Sequence, residues 1–528
     1  MLSNLRRNLL LSSLVLLGAL TVVEAQPASM VATGIGSPGY SADEEILKEF
    51  KKYFKKYKDS ASRVEAIRAL EGTESVGVVK ILMPLLRDED PEVVRASVGI
   101  LSAFETRPPV DEMLQRLEKD KNTETRVGLL RILERGEYKG TGEIVSVCLE
   151  DKSWMVRRHA IKSLAAGSET DHLEAIEALR EDKEGAVRCA SLEAMLALKS
   201  AQIVPYSIAA LQDESWQVRS AAIQSLGSVR HLDSIQPLIG QMHLEEGRLL
   251  ADAAHALENI TGRAFGERVE LWQRFLDNYK GRYKIPTDEE MVKLREMQAK
   301  RRAEYEKRAG LSNYHGIATP SRSLLFVIDV SGSMEHEVRE KERFKDGDYP
   351  SMSRMDIVKT ELARTVVNLE SHVDFNILSF ATEVKTWKKK LVKANVLNKS
   401  SADSWVNRLE PIGGNSKADL ARAGLTQSAN IGGGKTNTYG ALAQALGLAG
   451  KGAKASEYEI EVDTIFFLSD GRPTHGTYTD TTEILRSIGE ANDLRRVVIH
   501  TIAIGDFNKT FMEMLAQENG GVFVDLGK

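Results

Sequence analysis

Leu324-Leu325-Phe326-Val327-Ile328-Asp329-Val330-Ser331-Gly332-Ser333-Met334 is an apolar run that ends in a carboxylate and then offers two hydroxyls at alternate positions. A run without polar alternation reads as a strand buried on both faces, inside a parallel sheet covered by helices. Ligands of such sheets gather at the carboxyl ends of the strands. Asp329, Ser331 and Ser333 stand at that end. One carboxylate and two neutral hydroxyls on a tight loop are hard oxygen donors, suited to Mg²⁺ or a similar cation rather than zinc.

Two later stretches extend the pattern. Thr464-Ile465-Phe466-Phe467-Leu468-Ser469-Asp470-Gly471 is a second apolar strand ending in a carboxylate, and Gly432-Gly433-Gly434-Lys435-Thr436-Asn437-Thr438 is a glycine-rich loop that leads into a helix. With these three stretches the chain resembles the von Willebrand factor A family, whose metal-ion-dependent adhesion site is written D-x-S-x-S, then a Thr, then an Asp. The matching positions are Asp329, Ser331, Ser333, Thr436 and Asp470. The resemblance covers roughly the last two-fifths of the chain, an ordinary domain size.

The resemblance implies an α/β doubly wound, Rossmann-like fold for residues 320–528. It also implies a Mg²⁺ ion, alternatively Mn²⁺ or Ca²⁺, touched by the hydroxyls of Ser331, Ser333 and Thr436 and held by Asp329 and Asp470 directly or through water. Neutral hydroxyls leave much of a cation's charge uncompensated, and Mg²⁺ keeps positions for outside oxygens. The expected partner is therefore a protein that offers an Asp or Glu to the metal. No His, Glu or Lys occupies an evident general-base position in these loops, so no catalytic residue is expected. Gly434-Lys435-Thr436 imitates the end of a P-loop, but Ala429 stands where that motif needs glycine and a helix-like segment precedes it. His475 reads as an ordinary loop residue.

Between these stretches the pattern alternates. Helices are expected over Met355–Leu369, Ala402–Leu409, Thr438–Leu448, Thr481–Asp493 and Phe511–Glu518. Strands are expected over Val373–Thr386, Val497–Ile504 and Val522–Leu526, which together predict a doubly wound sheet. Two segments exceed the family's usual connections: a charged insertion, Glu335–Arg354, and the span 412–431, which holds a weaker glycine loop, Gly413-Gly414-Asn415-Ser416. The insertion is open to two readings, one wall of the metal site or a solvated excursion.

Upstream the chain repeats itself. Arg95, Arg126, Arg157, Arg188 and Arg219 stand 31 residues apart, each preceded at six residues by an acid: Glu89, Asp120, Asp151, Asp182 and Asp213. Leu133, Leu164, Met195, Leu226 and Leu257 recur at the same interval. A fixed period of this kind means stacked units, none of which buries its apolar face alone. The pattern resembles short HEAT-like repeats, two antiparallel helices per unit, and predicts an all-α solenoid over residues 41–280. The acid falls in the turn between helices and the arginine in the first turn of the second helix. Such a ladder either fixes the stacking through Asp–Arg pairs and helix caps or grips a polyanion. Each arginine arrives with its own acid, which favours the first use. Trp154 and Trp216 occupy equivalent positions and read as packing.

The ends of the solenoid are legible as well. A helix beginning near Ser41 carries Ile46, Leu47, Phe50, Tyr53, Phe54 and Tyr57 on one stripe and lysines on the other, which reads as a terminal cap, while Trp272 and Phe275 close the far end. Residues 281–319 read as a charged linker helix with a narrow apolar stripe, Met291, Leu294 and Met297. Residues 1–25 have the form of a signal peptide: Arg6 and Arg7, an apolar run from Leu9 to Val23, and Val23-Glu24-Ala25 as cleavage site. Residues 26–40 are a Gly/Ser/Ala/Pro-rich flexible leader.

Composition narrows the function. The 528 residues are 42% hydrophobic and 28% charged with a formal charge of -5, which gives no reason to expect nucleic acid as a partner. No later run is apolar for long enough to span a membrane. Cys148 and Cys189 lack metal-ligand spacing and read as buried small hydrophobes. The sequence thus predicts an exported protein, secreted or retained in a periplasm or cell envelope. It is expected to act as an adhesion or scaffold protein through the metal site, with the solenoid as a second binding surface. The alternative is an enzyme or enzyme accessory, because short HEAT-like repeats resemble those of bilin lyases and some A-type domains serve chelatases.

Overall fold

The computed structural model describes residues 42–279, 282–297, 317, 321–412, 434–447, 461–470, 472–505 and 507–526. The expected signal peptide and leader, Ser41, most of the expected linker and the glycine-rich segment 413–433 lie outside the described residues.

The N-terminal part is a stack of helix pairs. Its second helices are α1 (Pro91–Ser102), α2 (Thr123–Arg135), α3 (Trp154–Ala166), α4 (Gly185–Ala197), α5 (Trp216–Val229) and α6 (Arg248–Thr261). The leucines and methionine of the 31-residue period, Leu133, Leu164, Met195, Leu226 and Leu257, are at most 1% exposed and form the spine of the core. The ends are closed as the pattern predicts. Ile46, Leu47, Phe50 and Phe54 pack on the first core cluster, while Tyr53 and Tyr57 stay more than a third exposed. Trp272 and Phe275 are buried at the other end. The helical residues 288–297 lie against α6, with Met291 buried and Arg295 bonded to Asn259 at 3.0 Å.

The charge ladder explains the period. Arg157 donates to both carboxylate oxygens of Asp182 in the next unit, at 2.7 and 2.8 Å, and to the carbonyl of Asp151 in its own unit at 2.8 Å. Arg188 repeats this with Asp213 and the Asp182 carbonyl, and Arg219 with Glu245 and the Asp213 carbonyl. Arg126 pairs with Asp151 and Arg63 with Asp88. Each aspartate also accepts the backbone N–H two residues on, as Asp182 does from Glu184 at 2.9 Å. The acid therefore closes the turn ahead of the helix instead of capping the helix itself. It joins its own unit to the one before, and polyanion binding is not what these arginines are free to do.

The C-terminal part is a seven-stranded sheet of β1 (Ser323–Asp329), β2 (Asp374–Phe380), β3 (Val384–Thr386), β4 (Val392–Lys393), β5 (Thr464–Ser469), β6 (Val498–Ala503) and β7 (Phe523–Asp525). The order is β3-β2-β1-β5-β6-β7, with β4 also on β2. β1 is central and parallel to both β2 and β5. The unbroken strand expected over Val373–Thr386 is instead a hairpin, turned at Ala381, whose N–H bonds the Glu383 carbonyl, so that β3 returns antiparallel along β2. Side-chain alternation splits the apolar run of β1 between two cores. Leu324, Phe326 and Ile328 meet α7 (Arg354–Asn368) and α8 (Val396–Asn407), while Leu325 and Val327 meet α9 (Thr438–Ala445), α10 (Thr481–Arg495) and α11 (Lys509–Glu518).

The insertion 335–354 is largely solvated along its length but anchored at a few buried points. Val338 and Phe344 are buried in the same core as α7, and the Val338 N–H bonds the Met352 carbonyl while the Arg354 N–H bonds that of His336. Its two ends are thereby zipped together, and its last residue opens α7 beside the Asp329 turn.

The two parts meet along α10, which runs past the row of second helices. Glu490 pairs with Arg131 at 2.6 Å, Asp493 with Arg158 and Lys162, and Arg496, just past the helix, with Glu193 and Gln224. Arg248 of α6 donates to the carbonyls of Asp463 and Arg496. One charged contact or more per repeat seats the sheet on the solenoid.

Two stability predictions follow from this packing. The Arg157–Asp182 pair is less than a tenth exposed on either side, so Arg157→Ala leaves a buried carboxylate without its partner. Denaturant unfolding should show a loss of about 3 kcal/mol. In β6, His500 is buried against Phe466 and its Nδ1 accepts the Val522 N–H at 3.0 Å, which requires the neutral ring. Burial, with the nearby Arg248 adding to it, pushes its pKa from 6.5 down to about 4. Between those values the unfolded chain takes the proton and the folded one refuses it. Stability present above pH 6.5 is therefore lost as pH falls towards 4, by about 3 kcal/mol at most. His500→Gln should flatten melting temperature against pH across that window, and an unchanged slope would exclude the neutral-ring account.

Candidate metal centre

The site is assembled at the carboxyl edge of the sheet, where β1 and β5 end side by side, Ile328 opposite Leu468. Asp329 is fully buried, and its Oδ1 accepts the Ser331 N–H at 2.8 Å, which folds the chain into the loop holding both serines. Its Oδ2 accepts the Ser469 hydroxyl at 2.6 Å. Ser331 and Ser333 bring their hydroxyls within 3.2 Å of each other, and Ser333 Oγ donates to Asp470 Oδ1 at 2.8 Å. Four of the five sequence-derived positions thus form one continuous hydrogen-bonded set.

Thr436 is not hydrogen-bonded to that set among the described contacts, but its neighbours bring it alongside. Gly332 donates to the Gly434 carbonyl at 3.2 Å, which lays the end of the glycine loop on the Asp329 turn. The Thr436 N–H bonds Thr474 Oγ1 at 2.9 Å, and the Thr436 carbonyl accepts from the N–H groups of Thr474 and His475. Thr436 is 5% exposed, beside the loop that follows Asp470. His475 serves this loop with its backbone. Gly432 and Gly433 lie outside the described residues.

One charged residue of the site has no signature in the sequence. Arg354, the first residue of α7, places Nη1 2.6 Å from Asp470 Oδ2, and the pair is almost completely buried. Only the folded insertion makes this contact possible, since 21 residues separate Arg354 from Ser333. Gly505 keeps the space open: its φ is +90°, and a Cβ there would stand 2.3 Å from the Arg354 guanidinium carbon. Ser469 and Thr474 were equally unmarked, because a hydroxyl at a strand end or in a loop is too common to single out.

The electrostatics are unbalanced. Two carboxylates share the pocket with one guanidinium, so with both ionised a net negative charge would be removed from water. Burial first, and the charge of Asp470 second, push Asp329 up to about 7. Burial also raises Asp470, though the bonds from Arg354 and Ser333 pull against it. Among the described residues no group of three or more His, Cys, Asp or Glu stands together. A cation here would depend on the hydroxyls of Ser331, Ser333 and Thr436, a donor set that fits a hard ion such as Mg²⁺ and does not fit zinc.

Comparison with known proteins agrees with both halves of this architecture. A family model described as HEAT repeats matches residues 173–258, and one described as von Willebrand factor type A domain matches residues 347–525. The second match takes in Thr436 and Asp470 and begins after the Asp329 loop. Inter-alpha-trypsin inhibitor heavy chain H1 of Mesocricetus auratus is 27% identical over 205 residues, and that of Sus scrofa 26% over 203, in each case 38% of this chain. The chain spans only 18% of the length of these relatives. A solved structure titled YIBA_ECOLI aligns with 49% of this chain and 98% of its own at 16% identity and a TM-score of 0.33. The chain carries HEAT repeats followed by a von Willebrand factor type A domain.

Proposed function

We propose that this is an exported protein-interaction scaffold, of adhesion type, that docks an acidic group of a protein partner at the Asp329–Asp470 centre. Asp329 and Asp470 supply the charge and Ser331, Ser333 and Thr436 the neutral oxygens that would hold Mg²⁺, alternatively Mn²⁺ or Ca²⁺. A bound divalent ion contributes an open coordination position that attracts a carboxylate. The chain's own residues do the rest. Arg354 fixes Asp470 through one oxygen, Ser469 and the Ser331 N–H fix Asp329, and the Ser331–Ser333 pair keeps its hydroxyls side by side. All of this is set before any ligand arrives, so little ordering cost falls on binding.

The observation that carries the reading is the meeting of three separate segments around two buried carboxylates that a single guanidinium leaves under-compensated. The likeness to inter-alpha-trypsin inhibitor heavy chains, confined to 38% of this chain, supports protein partners over small substrates. The N-terminal segment supports export, and among the described residues no helix is long and apolar enough to cross a membrane.

Asp329→Asn tests both the charge imbalance and its use. In EDTA the variant should melt higher than the natural protein, because one of two buried like charges is gone while both hydrogen bonds at that side chain can be kept. Titration calorimetry should find Mg²⁺ or Mn²⁺ binding to the natural protein and at least a tenfold loss in the variant, ~1.4 kcal/mol or more. Capture of envelope or extracellular partners should likewise need the metal. A natural protein that takes up neither ion would end the metal reading.

A further inference from the structure

Arg95 breaks the ladder. The others of its 31-residue series reach the acid of the next unit, but Arg95 turns to Glu92 of its own helix at 3.0 Å and then leaves the solenoid. Its guanidinium donates to Ser487 Oγ on α10 at 3.1 Å and lies 4.6 Å from the centre of the Tyr478 ring. Tyr478 ends the loop that follows Asp470 and is 5% exposed. Its ring meets that of Tyr439 edge-on, with centroids 4.4 Å apart, and the Tyr439 hydroxyl lies 3.3 Å from Ser487 Oγ. Tyr439 stands three residues after Thr436, on the first turn of α9.

The loop clamped in this way is the one that holds Thr436. Thr474 takes the Thr436 N–H on its hydroxyl and returns its own N–H to the Thr436 carbonyl. At Gly476, φ +106°, a Cβ would come 2.1 Å from Asn437 Oδ1, so loop and helix start are in direct contact. A physical line therefore runs from the second repeat through Tyr478 and the loop to Thr436, and a parallel one through Ser487 and Tyr439. The ion pairs of α10 keep the two ends in register.

We propose that Arg95 is a positioning residue for the metal centre. By holding Tyr478 and Ser487, the solenoid fixes the 472–480 loop and with it Thr436, the one member of the donor set that no described side-chain hydrogen bond ties to the other four. Its bearing on a cation rests on the reading above. The fixing of the loop does not. Coupling of this kind is reciprocal: if the seated solenoid tightens metal binding, the metal tightens the seat by the same factor.

The test uses the full chain with Arg95→Ala, Arg95→Lys and, as a control for solenoid damage, Arg157→Ala, whose ladder partners all lie within the repeats. In EDTA, hydrogen exchange of segments 434–447 and 472–480 should quicken about tenfold in Arg95→Ala, with the central strands unchanged. Arg95→Lys, which keeps a cation over the ring, should return most of that protection, and Arg157→Ala should leave both segments as they were. Mg²⁺ affinity should fall about fivefold to tenfold in Arg95→Ala alone. Unchanged exchange in the two segments, or a rise spread evenly over the sheet, would overturn the proposal whatever the metal does. A natural protein without Mg²⁺ affinity, together with selective quickening in Arg95→Ala, would instead remove the metal reading and keep the loop's dependence on the solenoid.

Discussion

Two carboxylates facing one guanidinium, all three out of water, is the constraint that the carboxyl edge of the sheet answers to. An isolated buried charge is too costly to keep, and a buried pair persists only where further hydrogen bonds satisfy it. Asp470 meets that condition through Arg354 and Ser333. Asp329 meets it only with neutral donors, Ser469 and the Ser331 N–H, and so carries the strain of the site. The insertion delivers Arg354, Gly505 makes room for it, and the serine loop supplies hydroxyls in place of a second cation. On the proposed reading, the asymmetry that costs stability is also what would attract a cation, the exchange of stability for function that active centres commonly show.

The solenoid solves a different electrostatic problem. Arg157 and Arg188 are also nearly buried, but each is matched within its own stack: a carboxylate ahead, a carbonyl behind, and the carboxylate in turn closing the next loop. Bidentate geometry of this kind ties stacking angle to charge pairing, so one unit cannot rotate against the next without unpairing a buried ion. The ladder pairs its charges one to one, where the Asp329–Asp470 cluster does not. The one arginine that quits it without a substitute acid in the next unit is the one placed to reach the sheet.

Much of this was legible because it is periodic or terminal. A 31-residue recurrence exposes a stack without any knowledge of its geometry, and an apolar run ending in Asp329 marks a strand end because strands in a covered parallel sheet have no polar face to hide. The ladder's partners were half legible: residue spacing gave the acid, but only the fold shows that it serves the preceding unit's arginine. What sequence could not give is whatever depends on chain reversal. The Val373–Thr386 segment has strand composition throughout, and its break at Ala381 is set by the turn. Arg354 resembles any helix-opening cation until the insertion folds back and aims it at Asp470. Arg95 is indistinguishable from its four periodic neighbours until a second body is packed against the solenoid.

That second body is held by pairs of a different grade. Arg131–Glu490 and Lys162–Asp493 are each a quarter or more exposed, whereas Arg157 and Asp182 of the ladder are under a tenth. Exposed pairs contribute little singly and are screened by salt, while buried ones barely feel it. Those two seam pairs are therefore softer than the ladder's, although Arg158, which also meets Asp493, is only 7% exposed. The ladder and the sheet thus meet across contacts of mixed grade, close to the loop that carries Thr436.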